Sequence, residues 1–283
     1  MNRRMTFLLC LAAATSWSIG CWAEGDVVQL TIEGRLEEVG AALEAGADVN
    51  LRDAYGRTAL MHASLAGQVE EVCFLLARKA DPNCRDQGGI TALICATANG
   101  HLDVVRLLLA AGAEVQAGNE HDWGPLFFAV TEGNREIVAE LVAAGAAAGR
   151  PDIHGYTPLM QAAFKGFRRI ALDLLEAGCA VDAQDEVGLT ALMYAAGGGN
   201  PAIIGDLLSA GAEVNHRNRY GMTALMNASG TGNLRGVELL LRRGADPGIV
   251  DCDGRTAIQF AMRNDHAAVV ELLLGGACGS GSL

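Results

Sequence analysis

The sequence predicts an all-α repeat solenoid, an array of antiparallel helix pairs joined by hairpin-like finger loops. Three observations predict it. A short phrase, first met as TALMHA at Thr58, returns as TALICA at Thr91, GPLFFA at Gly124, TPLMQA at Thr157, TALMYA at Thr190, TALMNA at Thr223 and TAIQFA at Thr256, always at an interval of 33 residues. A glycine stands nine residues after the start in six of these phrases, at Gly67, Gly100, Gly133, Gly166, Gly199 and Gly232. Apolar runs such as VVRLLLAAGA, IVAELVAAGA, IIGDLLSAGA and GVELLLRRGA follow in the same register. Fixed periodicity marks units that cannot bury a face alone and do so on their neighbours, so the chain reads as one elongated domain.

Each element has a mechanical reason. The Thr is placed as a helix N-cap, its hydroxyl able to accept a bond from an otherwise unpaired N–H one turn on, and Ala or Pro follows at the first helical position. Leu60, Leu93, Leu126, Leu159, Leu192, Leu225 and Ile258, each with an Ala three residues later, then form an apolar stripe on a short first helix. The glycine nine residues after the Thr suits a left-handed C′ position and ends that helix. A second helix follows, and Pro201 behind Asn200 reads as an N1 proline after an N-cap. Glycine closes the second helix at Gly46, Gly112, Gly145, Gly178, Gly211 and Gly244. Lys79 stands in the equivalent place in the first repeat, at a cost of about 1 kcal/mol relative to glycine.

Between helix pairs an acid or Asn lies five residues before the Thr, at Asp53, Asp86, Asn119, Asp152, Asp185, Asn218 and Asp251, and Gly lies two before it in all repeats but the third. These are turn residues, and they predict a tight finger. In the third repeat Gly124 replaces the Thr and Asp122 the turn glycine, both tolerable because Gly can serve as an N-cap and Asp accepts left-handed geometry.

On these residues the sequence resembles the ankyrin repeat, whose pattern is D-x-x-G-x-T-P-L-x-x-A, then G, then LL-x-x-GA-D-x-N at a period of 33. The resemblance covers residues 25–278. It implies an ankyrin-repeat domain over 24–278, with an N-terminal capping half-repeat at 24–50, seven repeats over 51–278 and a flexible tail at 279–283. One departure is systematic. The family's usual His after Thr-Pro-Leu is replaced by Met61, Ile94, Phe127, Met160, Met193, Met226 and Gln259, so apolar packing is expected in place of a polar network.

Composition narrows the function. The chain carries 21 basic and 33 acidic residues, a net charge of −12, which disfavours nucleic acid and anionic lipid as partners. Residues 1–23 read as a signal peptide. Arg3 and Arg4 precede the uncharged run MTFLLCLAAATSWSIGCWA, and Cys21 and Ala23 offer small residues at a cleavage site before Glu24. Cleavage predicts an extracytoplasmic, periplasmic or secreted protein. Two alternatives stay open: an uncleaved anchor over residues 5–23, and a lipid on Cys21, since Ser18-Ile19-Gly20-Cys21 resembles a bacterial lipobox with Ser18 where that motif has Leu. Membrane association is expected only in those two cases.

Of the eight cysteines, Cys73, Cys84, Cys95, Cys179, Cys252 and Cys278 follow the signal, at spacings that suggest neither disulfides nor a zinc site. His121 and His154 share a place on neighbouring fingers without a Cys or carboxylate to complete a metal set. Gly197, Gly198 and Gly199 do not form a phosphate loop, having no preceding strand and no Lys-Ser or Lys-Thr after them. No GxSxG or HExxH motif occurs, and an open repeat surface does not exclude water. No catalytic residue, metal or cofactor is assigned.

The resemblance implies a binding face built from fingertips and first helices, at the residues four, three and one before the Thr and seven and eight after it. Five of the eleven aromatic residues beyond the signal fall there, namely Tyr55, Trp123, Tyr156, Phe164 and Tyr220, with Arg57, Lys165 and Arg219 among the basic ones. Tyr and Trp dominate binding hot spots, so these eight are the candidate partner-binding residues. For Phe164 the alternative is packing between first helices. The expectation is a monomeric adaptor or scaffold for one or more proteins, modulating a partner enzyme or serving as a secreted effector. Its alternative is a membrane-tethered structural component.

Overall fold

A computed structural model describes residues 26–278. The expected signal peptide with Cys21, and the tail 279–283, lie outside the described residues. Ahead of the first finger stand α1 (Val27–Ile32) and α2 (Leu36–Glu44). The phrase that begins each period opens α3 (Ala59–Ala66), α5 (Ala92–Ala98), α7 (Pro125–Glu132), α9 (Pro158–Lys165), α11 (Ala191–Gly197), α13 (Ala224–Gly230) and α15 (Ala257–Arg263). Their antiparallel mates are α4 (Val69–Ala77), α6 (Leu102–Ala110), α8 (Arg135–Ala143), α10 (Arg168–Glu176), α12 (Pro201–Ser209), α14 (Leu234–Arg242) and α16 (Ala267–Cys278). Among the described residues there is no strand, only an isolated bridge between Arg52 and Thr58 at the base of the first finger. First helices pack on first helices and second on second, forming two layers.

The core runs between these layers. Leu60, Leu93, Leu159, Leu192 and Leu225 are buried, as are the paired Val104 and Leu108, Ile137 and Leu141, Ile170 and Leu174, and Ile203 and Leu207 of the second helices. Met61, Ile94, Phe127, Met160, Met193 and Met226 are buried too, so apolar side chains do occupy the row where the family carries His. Flexible thioethers suit that row because they fill irregular gaps between repeats.

The helix signals behave largely as expected. The hydroxyls of Thr58, Thr91, Thr157 and Thr223 accept bonds from the N–H of Met61, Ile94, Met160 and Met226 at 3.3–3.4 Å. Thr190 differs: its buried hydroxyl finds no partner among the described residues. In the last repeat Gln259 Oε1 accepts from the Thr256 N–H at 2.7 Å and closes that turn instead. The closing glycines have positive φ, and so do Lys79 (65°), Asp122 (62°) and Asp265 (59°) where the sequence departs from glycine.

Asn200 is a correction. Its side chain does not cap α12; it turns to the preceding repeat, where Nδ2 donates to the carbonyls of Ala163 at 2.8 Å and Phe164 at 3.1 Å. His101 Nε2 reaches the Leu65 carbonyl at 3.1 Å and His266 Nε2 the Gly230 carbonyl at 3.2 Å in the same way. The terminal carbonyls of one first helix are thus satisfied by the next repeat, which ties neighbouring repeats together.

None of Cys73, Cys84, Cys95, Cys179 and Cys252 is in a disulfide. Burial pushes the Cys179 thiol up to about 11. Among the described residues no helix is long and apolar enough to cross a membrane.

Two substitutions test this account. Leu192→Ala should lower the unfolding free energy by about 2–5 kcal/mol through a core cavity, read by urea titration. Lys79→Gly should raise it by about 1 kcal/mol by relieving the left-handed backbone; unchanged stability would mean that α4 ends without strain.

Candidate functional site

Every finger is organised by one carboxylate or amide. Oδ1 of Asp53 accepts from the N–H groups of Tyr55 and Arg57 at 2.8 and 2.9 Å, and the same pair of bonds recurs at each later finger. Asp86, Asn119, Asp152, Asp185, Asn218 and Asp251 each accept from the residues two and four further on, at 2.8–3.0 Å. Adjacent fingers are also joined backbone to backbone. Gln87 donates to the Tyr55 carbonyl, Glu120 to Gly88, Ile153 to His121, Glu186 to His154, Arg219 to Val187 and Cys252 to Tyr220, at 2.7–3.3 Å. The fingertips therefore stand in fixed register along the array.

On the side of the first helices this scaffold carries a continuous run of rings. Trp123 stacks on Phe127 at 4.8 Å between centroids and meets Phe128 edge-on at 6.1 Å. Phe127 leads to Tyr156 at 6.0 Å, Tyr156 to Tyr194 at 5.0 Å, and Tyr194 to Phe164 at 6.3 Å. Edge and offset contacts of this kind are favourable beyond the area they bury. Polar ends are held as well. Trp123 Nε1 donates to Asp152 of the next finger at 3.0 Å, the Tyr156 hydroxyl to Gln161 at 2.9 Å and the Tyr194 hydroxyl to Asp185 at 2.8 Å. Burial, reinforced by the charges of Asp152 and Asp185, raises the Tyr156 hydroxyl above the ordinary tyrosine value and keeps it protonated.

The eight candidate residues fall into two groups. Trp123 and Tyr156 are half-buried members of the ring run, and Arg57 is engaged with Asp86 at 3.2 Å and lies 6.0 Å from the Tyr55 ring. Tyr55, Phe164, Lys165, Arg219 and Tyr220 are exposed, Tyr220 to 60%. Phe164 does touch Tyr194, yet half of it stays in solvent, so packing does not use it up. The sequence reading missed the residue four after the Thr, which is His62, Phe128, Gln161, Tyr194 and Phe260 in five of the repeats. Helical spacing contained the signal: a face including the eighth residue after the Thr also includes the fourth, one turn earlier.

The histidines that share a place on neighbouring fingers each face a carboxylate. His154 faces Glu186 at 3.1 Å and His121 faces Glu120 at 3.6 Å. His62 Nε2 lies 2.8 Å from Asp53 Oδ2. Burial alone would raise the Asp53 carboxyl, but the His62 hydrogen bond and charge and the N–H groups of Arg57 and Tyr55 together hold it below the ordinary carboxylate value.

Two layers of short antiparallel helices with ordered fingers define a helical-repeat scaffold presenting an extended face. The family described as ankyrin repeats matches residues 27–119, 115–185, 160–251 and 192–280. The chain belongs to the ankyrin repeat family. It is similar to the crystal structure of the human ASB11 ankyrin repeat domain, at 26% identity and a TM-score of 0.72, over 78% of this chain and 98% of that one. No curated protein matches it. Membership in this family carries the role of a protein–protein interaction adaptor.

The Asp53 carboxylate has a testable consequence. A carboxyl lowered on folding stabilises the fold above its unfolded value, near 4, and loses that contribution as the pH falls through its lower folded value. The stability difference between the native chain and Asp53→Asn should therefore shrink on acidification below about pH 4. A difference that grows below pH 4 would contradict the assignment.

Proposed function

We propose that this protein is an adaptor acting outside the cytoplasm, which binds a partner protein on the face formed by fingers and first helices, centred on the third to fifth repeats. The observation that carries the reading is the ring run from Trp123 through Phe127, Tyr156 and Tyr194 to Phe164. A rigid aromatic strip costs little conformational entropy on binding and supplies the side chains on which interface energy concentrates. Tyr55 and Tyr220 extend the same face toward either end, and their exposure leaves them free to contact a partner. The extracytoplasmic setting rests on Arg3, Arg4 and the uncharged run before Glu24. An adaptor so placed would support or restrain a neighbouring enzyme, or act as a secreted effector.

The test is capture of partners from the native extracytoplasmic fraction by the chain starting at Glu24, compared with Phe164→Ala and Tyr220→Ala. Each substitution should weaken capture by about 1–3 kcal/mol. Each should shift the unfolding free energy by no more than about 0.5 kcal/mol, as expected of exposed side chains. Undiminished capture by both would move the interface off this face. Mass spectrometry of the native protein decides the setting: a mature N-terminus at Glu24 supports the soluble adaptor, whereas an intact N-terminus or a lipid on Cys21 would replace it by the tethered component.

A further inference from the structure

The finger carboxylates differ in what meets their second oxygen. Asp86 Oδ2 is paired with Arg57 at 3.2 Å, Asp251 Oδ2 accepts from Arg255 at 2.8 Å, and Asp53 Oδ2 faces His62 at 2.8 Å. In the middle of the array the partners are neutral, the indole N–H of Trp123 for Asp152 and the hydroxyl of Tyr194 for Asp185. Among the described residues neither Asp152 nor Asp185 makes an ion pair, whereas Asp53, Asp86 and Asp251 each do. The arginines show what such a place accommodates. Arg255, one residue before Thr256, meets Asp251 and lies 5.1 Å from the centroid of Phe260; Arg57, in the same place of the first repeat, meets Asp86 and lies 6.0 Å from that of Tyr55. The fifth repeat keeps the carboxylate as Asp185 and the ring as Tyr194, in the places of Asp251 and Phe260, but has half-buried Leu189 in the place of Arg255. Carboxylate and ring are present there without the arginine.

Charge around the centre of the ring run is predominantly negative. Glu186 follows Asp185 at the tip of the same finger, Glu120 stands at the tip of the third finger and Glu132 at the end of α7, and all three are exposed. Against them stand few cations. His121 and His154 face Glu120 and Glu186, Arg150 is paired with Asp122 at 2.5 Å, and Lys165 lies at the end of α9, one helical turn beyond Gln161. The charges of Asp152 and Asp185 both act on the Tyr156 hydroxyl, which places that ring within the field of the two uncompensated carboxylates.

We infer that the centre of this face takes an arginine-bearing basic segment of the partner protein, one guanidinium lying against Asp185 and the rings of Tyr156 and Tyr194 as Arg255 lies against Asp251 and Phe260. The inference rests on the adaptor reading and names the chemistry of its ligand. A planar guanidinium pairs with a carboxylate and packs on a ring at the same time, which an ammonium does less well. The net charge of −12 draws a basic segment toward the array, and the two carboxylates fix where it settles.

The experiment is selection of a phage-displayed library of random peptides on the chain starting at Glu24, which keeps every described residue, with each enriched peptide then measured by fluorescence anisotropy. The expected result is a consensus containing Arg. Two variants, checked for folding by circular dichroism, approach the place from opposite sides. Asp185→Asn removes the charge but keeps the finger's acceptor, as Asn119 and Asn218 do in theirs. Leu189→Arg leaves Asp185 intact and supplies a cation from the chain itself, where Arg57 and Arg255 already stand in their repeats. Each should weaken peptide binding about tenfold, while Glu136→Gln, an equal loss of negative charge on α8, should change it by no more than about twofold. A consensus without Arg, native-like binding by either folded variant, an equal loss in Glu136→Gln, or no enriched peptide would overturn the inference. Capture of the native partner that persists in Asp185→Asn and Leu189→Arg but is lost in Phe164→Ala would overturn it while leaving the adaptor reading standing.

Discussion

The whole array depends on the pair of hydrogen bonds that one Asp or Asn side chain makes inside each finger. A single Oδ1 receives two backbone N–H groups, two and four residues on, in all seven fingers. Without that acceptor a finger would leave two donors to solvent and lose the shape that lets its backbone bond to the next. Local turn chemistry thereby becomes long-range order, since each finger templates its neighbour through the main chain. The same logic recurs at the helix ends, where Asn200, His101 and His266 reach back to carbonyls of the preceding repeat. Stability in such a structure is the sum of nearest-neighbour terms, and these bonds are part of every term.

The two faces of the array spend their polar groups differently. Along the second helices, arginine and carboxylate alternate from repeat to repeat: Arg106 pairs with Glu140, Arg135 with Asp173 and Arg168 with Asp206 at 2.6 Å each. These are exposed pairs, and they contribute more to solubility and register than to stability. Along the first helices polar groups are fewer and mostly serve to orient rings, as Asp152 does for Trp123 and Asp185 for Tyr194. The acidic excess of the chain is therefore compatible with a face that is aromatic at its centre.

The fold was legible because the repeat states the same physical requirement seven times, and the exceptions were legible for the same reason. Lys79, Asp122 and Asp265 could be read as left-handed residues from position alone, since a glycine elsewhere in the register showed what the backbone demanded. Binding chemistry was less legible. Tyr194 and Phe128 belong to the ring run, yet the reading of the face stopped one helical turn short of them. Trp123 and Tyr156 lie on the side of the first helices, but their half-burial depends on partners in neighbouring repeats, which periodicity within one repeat does not reveal. Asn200 misled because Asn before Pro satisfies a capping rule locally, while the carbonyls it serves lie in the previous repeat.

The finger-to-finger backbone bonds have a consequence for how such a surface can change. They use main-chain groups only, and the Asp or Asn that shapes each finger lies outside the positions that vary at the tips. A ligand displaced by one repeat would thus meet the same carrier with a different set of side chains upon it. Its register is written entirely in the variable residues, as notches on a tally stick differ while the stick does not. Exchange or duplication of whole repeats would then rewrite what is recognised without asking the chain to learn a new way of folding.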